Sequence, residues 1–261
     1  MELIDSHCHL DADAFDHDRA AVIARAQNAG VVAQIVPAVT AASWPTLRAV
    51  CATAPDLHSA YGLHPLFLAQ HRSTHLEALA DWVARERPCA IGECGLDFFV
   101  AGLDPTEQQR YFAAQLHLAR TFDLPVIVHA RRSVDAVILA IRKVGRLRGV
   151  VHSFAGSAEQ ARQLRDLDFL IGLGGPITYP RAQRLRRLAT ELPLQQLLLE
   201  TDAPDQPDAS IRGQRNEPAR LRTVLDTIAT LRREPAAVIA AQTTRNAQQL
   251  FGLQTTSTEP C

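Results

Sequence analysis

The chain is poor in several features that would narrow its class at once. Its five cysteines, Cys8, Cys51, Cys89, Cys94 and Cys261, are odd in number and never spaced as C-x-x-C. Neither a zinc ribbon nor a disulfide framework can be read from them. No apolar run reaches the roughly 18 residues of a membrane span. The N-terminus shows no charged segment followed by an apolar one, so no secretion signal is read and a reducing, cytoplasmic setting is expected. The net charge of −1 leaves no basic field to grip long nucleic acid non-specifically, so any such contact should be local. No G-x-G-x-x-G and no phosphate loop follows the first apolar run, which argues against a dinucleotide-binding open sheet. Lysine is all but missing, with Lys143 the single one. Flexible linkers, charge blocks and repeats are also lacking. One domain over residues 1–253 is therefore expected, with a polar, frayed tail at 254–261.

What is present reads as a soluble globular protein, 47% hydrophobic and 21% charged. Eight short apolar runs recur along it: ELIDSHC, VVAQIVPAV, HSAYGLH, CAIGECGLD, PVIVHA, GVVHSF, FLIGLGG and LLLETD. Most are continuous rather than alternating, as befits parallel strands covered on both faces. Helical patterns lie between them. Val134, Val137, Ile138 and Ile141 share one helix face, as do Leu221, Val224, Leu225, Ile228 and Leu231. Asp104-Pro105-Thr106-Glu107 reads as an N-cap with proline at the first turn and a Glu reaching back; Ser157 with Gln160 reads as a second capping box. Eight strands alternating with helices predict a (β/α)8 TIM barrel of the metal-dependent hydrolase type, with a doubly wound open sheet as the competitor.

Polar residues gather at the ends of these runs. The first run ends in His7 and His9, the third in His64, and the fourth holds Glu93. The fifth and sixth carry His129 and His152, and the eighth carries Glu200 and Asp202. In a barrel, the carboxyl ends of the strands converge on one face. An H-x-H pair on a strand sends both rings to the same side, because side chains alternate with period two. Taken singly, each residue has an ordinary explanation: an incidental H-x-H, a hydrogen-bonded core histidine, a cap at Asp202, a salt bridge at Glu93. Taken together they would bury several imidazoles and carboxylates without partners, at several kcal/mol each. Divalent metal removes that cost. The donor set suits zinc, manganese, magnesium or a similar ion. Two ions are expected, one on His7, His9 and Asp202, the other on His129 and His152, with Glu93 spanning both. A carbamylated lysine bridge is not expected, because Lys143 belongs to a helix on the outside of the barrel. Ion pairs of this kind sit about 3.5–4 Å apart and suit in-line attack on phosphorus. Five other histidines, His17, His58, His71, His75 and His117, are expected at the surface. Cys8 and Cys94 should point away from the ligands, and Trp44 and Trp82 should lie in the core or at its rim.

The segments IDSHCHLD, GLHP, IGECGLDF, DLPVIVHAR, VVHSFAGS, LLLETDAP and GQRNEP, in that order, closely resemble the TatD family of metal-dependent hydrolases and deoxyribonucleases. The resemblance runs from about residue 3 to residue 252. It implies a (β/α)8 barrel and divalent-metal nuclease activity, commonly from the 3′ end of DNA. Carried over residue by residue, it implies metal ligands at His7, His9, Glu93, His129, His152 and Asp202, and a phosphate-side histidine at His64. One departure stands out. Where the family often has tyrosine after GLD, Phe98 and Phe99 follow; a hydroxyl is lost and a stacking surface kept. Asp205 and Asp208, in the loop after the eighth run, make an unfriendly setting for a polyanion.

The expected chemistry is hydrolysis of a phosphodiester by metal-activated water. Asp202 orients the water and takes its proton, and Glu93 is the second catalytic residue through its bridging position. His64 and Arg131 hold the phosphoryl oxygens. Arg212, Arg215 and Asn216 are candidates for guiding the substrate, and Glu200 for a deeper supporting or salt-bridging role. DNA ends or small phosphodiesters are the implied partners, and no obligatory protein partner is evident. The same barrel can instead hydrolyse amides, lactones or amines, or serve as a metal-stabilised binding module.

Overall fold

The computed structural model describes residues 1–253, so the expected tail at 254–261, with Cys261, lies outside the described residues. Every one of the eight runs forms a strand: β1 (Leu3–Asp5), β2 (Val31–Pro37), β3 (Leu57–Tyr61), β4 (Ala90–Asp97), β5 (Val126–Arg131), β6 (Gly149–Val151), β7 (Phe169–Leu173) and β8 (Leu197–Leu199). They pair in parallel in the order β1 to β8. Helices α1 (Arg19–Asn28), α2 (Trp44–Cys51), α3 (Thr74–Glu86), α4 (Pro105–Phe122), α5 (Val134–Val144), α6 (Ala158–Arg165), α7 (Gln183–Glu191), α8 (Leu221–Arg232) and α9 (Ala236–Phe251) follow them. This is the (β/α)8 barrel. Among the described residues, no helix is long and apolar enough to cross a membrane.

Local signals account for several helix starts. Asp104 accepts from the backbone N–H of Thr106 at 2.8 Å and of Glu107 at 3.4 Å. Glu107 does not reach back as expected; it pairs with Arg110 one turn on, at 2.9 Å. Ser157 and Gln160 form the reciprocal box. The apolar face of α5 is buried at Val134, Val137, Ile138 and Ile141, while Lys143 is exposed on the outside of the barrel.

One apolar layer fills the barrel. Ile4, Ala33, Ile35, Ala60, Ala90, Ile127, Val150 and Leu198 meet inside it, and Ala247, Leu250 and Phe251 of α9 seal its lower end. Each fully buried Val, Leu or Ile side chain among them contributes about 1.5–3 kcal/mol. The alternate residues Leu3, Ile91, Val126, Val128, Val151, Leu197 and Leu199 face the helices. The seam between β8 and β1 closes through backbone and carboxylate bonds. Ser6 N–H donates to the Leu199 carbonyl at 3.0 Å and Asp202 N–H to the His7 carbonyl at 2.8 Å. Asp5 accepts from Thr201 N–H at 3.0 Å and from its hydroxyl at 2.5 Å.

In two places the period of two is broken. Counted from the inward Ile4, strand parity would send His7 and His9 outward with Asp5; yet they turn inward, and Cys8 packs outside. The strand has ended at Asp5, and the bent segment beyond it resets the parity. The same happens in β4. Ala90 faces in and Ile91 out, but Glu93 faces in. The reset occurs at Gly92, whose φ is +148°. A Cβ there would come within 2.8 Å of both the Ile127 side chain and its carbonyl oxygen, so only glycine fits.

The loop after β8 is held by its own polar groups. Asp208 is buried and accepts from Arg220 at 2.6 and 3.0 Å. It also caps Ser210 at 2.9 Å. Asp208 is therefore neutralised inside the loop, and of the two acids expected to repel a polyanion only Asp205 is exposed.

Two outcomes are expected. Gly92→Ala should destabilise the fold by about 2 kcal/mol through overpacking and strain, read as a lower midpoint in thermal denaturation. For Asp208, burial pushes the carboxyl up, but Arg220 and Ser210 outweigh it and hold it below the ordinary range. A depressed carboxyl stabilises the fold above its unfolded pKa and loses that contribution as pH falls through its folded one. Asp208→Asn should thus cost about 1.5–3 kcal/mol at neutral pH in urea unfolding, with the deficit shrinking as the pH approaches 3.

Candidate metal centre

Six of the residues singled out in the sequence converge at the carboxyl ends of the strands. Glu93 lies at the middle, almost fully buried. Its Oε2 is 3.2 Å from His7 Nε2 and 3.4 Å from His9 Nε2. Its Oε1 is 2.8 Å from His152 Nε2 and 3.2 Å from His129 Nδ1. Asp202 Oδ1 completes the first side, 3.4 Å from His7 Nε2 and 3.6 Å from His9 Nε2. The two oxygens of Glu93 thus face two groups of nitrogen donors, as a spanning carboxylate requires. His64 joins them more closely than expected, with Nε2 2.9 Å from Glu93 Oε1. Three sets of donors lie within metal-chelating reach: His7, His9 and Asp202; His7, Glu93 and His152; and His64, Glu93 and His129.

Neighbouring groups set which ring nitrogen is free. His9 Nδ1–H donates to the Pro37 carbonyl at 3.1 Å, which turns the Nε2 lone pair inward. His129 Nε2–H donates to Asp97 Oδ2 at 2.9 Å and leaves Nδ1 facing Glu93. His64 is the reverse. Its Nδ1 accepts from Leu66 N–H at 3.1 Å, so the proton sits on Nε2 and points into the cluster. That tautomer makes His64 a donor to an anion rather than a metal ligand. His71, expected at the surface, is buried and donates from Nε2 to the His64 carbonyl at 2.8 Å.

The donor set fits a cation. His7 Nε2 and His9 Nε2 are 3.2 Å apart beside the Glu93 and Asp202 carboxylates, a crowding of nitrogen and oxygen donors within reach of one cation. Glu93 Oε1, buried among ring nitrogens, makes no well-directed hydrogen bond, and His7 Nδ1 and His152 Nδ1 have none either. Burial pushes the Glu93 carboxyl up, but His64, His152 and His7 outweigh it and hold the group well below its ordinary range. Burial and the neighbouring His152 hold His7 well below the usual imidazole value, so it stays a neutral donor. Burial works against charge on His152 as well, yet Glu93 and the other carboxylates lift it to about 10.

The other expected residues fall as follows. Arg131 ends β5 and is exposed on the cleft wall, on the same side as His129. Asn216 does not reach the cleft. It is buried, and its amide donates to the Thr201 and Asp205 carbonyls, both at 2.8 Å, while its oxygen accepts from Glu217 N–H at 2.9 Å. With its groups so used, it fastens the loop and has nothing to offer a substrate. Arg215 is likewise taken by Asp18, at 2.6 Å. Glu200 is buried below His152, accepts from Ser153 N–H at 2.5 Å, and is pushed up to about 8 by burial. Cys8 and Cys94 point away, each with Sγ 3.8 Å from a carbonyl of the neighbouring strand.

Three supporting residues were not singled out from the sequence. Asp5, pushed up to about 7 by burial, ties the first and last strand ends together. Asp97 orients His129. Gln206 donates to Asp202 Oδ2 and accepts from the Ser153 hydroxyl at 2.8 Å. A signal existed for one of them: Asp97 stands four after Glu93, an even spacing within β4, whereas the bend after Asp5 removes any such relation between Asp5 and His7. Gln206 lies in a loop with no such period.

Replacing Asp97 by Ala should weaken manganese binding by about 10–100-fold, measured by calorimetric titration, because the His129 ring loses the acceptor that orients it.

A family profile described as TatD related DNase matches residues 4–252. The chain is 43% identical over 256 residues to the uncharacterized metal-dependent hydrolase YjjV of Escherichia coli K12, covering 96% of this chain and 98% of that protein. The crystal structure of E. coli YjjV superposes with a TM-score of 0.93 at 41% identity, covering 97% of this chain and 98% of that one. A protein of Escherichia fergusonii named 3′-5′ ssDNA/RNA exonuclease TatD is 33% identical over 258 residues, covering 96% of this chain and 99% of that one. The barrel, the converging donors and these likenesses agree: the chain belongs to the TatD-related DNase family.

Proposed function

We propose that this protein is a divalent-metal-dependent hydrolase of phosphodiesters that removes nucleotides from the 3′ ends of DNA. The observation that carries the reading is Glu93, buried between two groups of imidazoles with Asp202 beside it. The cluster lies at the floor of a cleft of about 1390 Å³ that also holds His64, Arg131, Arg132 and Arg184. The name of the E. fergusonii relative adds support for the polarity and the substrate.

Two divalent cations held by His7, His9 and Asp202 on one side, and by His129 and His152 on the other, with Glu93 between, would supply Lewis acidity and ease the deprotonation of water. The chain's own groups do the rest. Gln206 fixes the outer oxygen of Asp202, so the inner one is aimed at the cluster and can take the proton of the attacking water. His64 offers an N–H to a phosphoryl oxygen from the opposite wall. Arg131 and Arg132 approach from the rim, where a guanidinium can hold two phosphate oxygens at once. Burial of Glu93, His7 and His152 keeps water from screening these charges.

Digestion of end-labelled single-stranded DNA with magnesium or manganese tests the reading. A ladder shortening from the 3′ end is expected, abolished by chelator. Glu93→Ala should lose more than the roughly 10–100-fold typical of residues that only support a ligand. Turnover of an N-formyl or lactone substrate, with DNA untouched, would move the protein to amide or ester hydrolysis.

A further inference from the structure

Beside the cluster the cleft carries an apolar shelf that none of the steps above uses. Phe98, Phe99 and Val100 follow β4 directly and are 36%, 47% and 39% exposed, and Leu66, which lines the same cleft as Phe98, is 38% exposed. Large apolar side chains grouped on a soluble surface mark a binding site more often than scattered ones do. Phe98 lines the cleft together with Leu66, Phe67, His64 and Glu93. Phe99 stands under two cations, with the Arg131 guanidinium 3.8 Å and that of Arg132 4.7 Å from its ring centre.

The shelf is fixed in position relative to the metal donors. Asp97 does this with its two oxygens. Oδ2 takes the His129 ring, while Oδ1 accepts from Phe99 N–H at 2.9 Å and Val100 N–H at 3.0 Å, forming the turn that displays the aromatic pair. Phe98 N–H donates to the Arg131 carbonyl at 2.9 Å. Gln108 of α4 clamps the Asp97 backbone from behind, at 2.7 and 2.9 Å. One buried carboxylate thus sets both a metal-facing imidazole and an exposed ring.

We infer that Phe98, with Arg131 splinted beside it on Phe99, is a stacking platform for an unpaired nucleobase of single-stranded nucleic acid. The inference rests on the phosphodiesterase reading and assigns the residue of that same site that would hold the substrate's base. A nucleotide is the ligand whose chemistry matches the wall: a flat π face for the ring, a diester anion for the guanidinium, and a scissile phosphorus within the cleft. A base inside a duplex has both faces covered by its neighbours and cannot lie on the ring. Phe98 therefore selects unpaired ends without reading sequence, since every base has such a face.

The test compares a thymidine pentanucleotide with a chain of the same length in which every nucleoside is an abasic tetrahydrofuran residue. Charge and diesters are kept and the bases removed. With manganese, the wild-type protein should favour the base-bearing chain in kcat/KM by about 10–100-fold, most of it in KM. Phe98→Ala should collapse that ratio towards one, and Phe98→Trp should restore it. Equal rates on the two chains by the wild type, or a ratio untouched by Phe98→Ala, would overturn the platform and leave the phosphodiesterase reading standing. Degradation of neither chain would overturn both.

Discussion

Everything at the mouth of this barrel depends on one carboxylate held among imidazoles. Glu93 is stripped of water and kept ionised by the rings around it. A buried carboxylate alone is unstable against protonation. Here its two oxygens divide the neighbouring nitrogens into two groups, His7 with His9 and His129 with His152. That division turns six separate residues into one site. It also explains why β4 is irregular: the strand must break its alternation at Gly92 to bring Glu93 inside.

Around that centre runs a shell of groups whose work is orientation. The Pro37 carbonyl, Asp97 and the Leu66 N–H decide which nitrogen of His9, His129 and His64 faces inward. His64 comes out with its proton inward and the other two with lone pairs inward, which separates a donor to anions from ligands to cations. Asp97 carries this order outward to the rim through the turn at Phe99 and Val100. The centre and its rim are therefore one mechanical unit, while Asp208 and Asn216 hold the loop after β8 from the other side.

Much of this was legible in the sequence. The eight apolar runs became eight strands because continuous β-branched stretches between helical patterns have few other ways to be buried. His7, His9, Glu93, His129, His152 and Asp202 could be picked out because each stands at the end of such a run. Asn216 misled because an amide in a polar loop carries no mark of whether it faces substrate or its own backbone. His71 misled because its partner is a carbonyl, which every residue possesses. Asp97 had the right spacing but lay among more conspicuous donors, and Asp5 lies before the bend that resets the parity.

By itself, the order of residues determined the barrel, the face on which the site would sit, and the set of donors gathered there, since strand length, burial and the parallel order of the strands follow from local pattern. Only the tertiary structure decided which way those donors point. His7 and Glu93 sit on the wrong parity for a regular strand and are turned inward by a bend after Asp5 and a reset at Gly92. The proton positions on the rings are set by groups far apart in the chain, such as Asp97 for His129 and Pro37 for His9. Backbone irregularity and long-range hydrogen bonds have no periodicity, and so leave no trace until the chain is closed on itself.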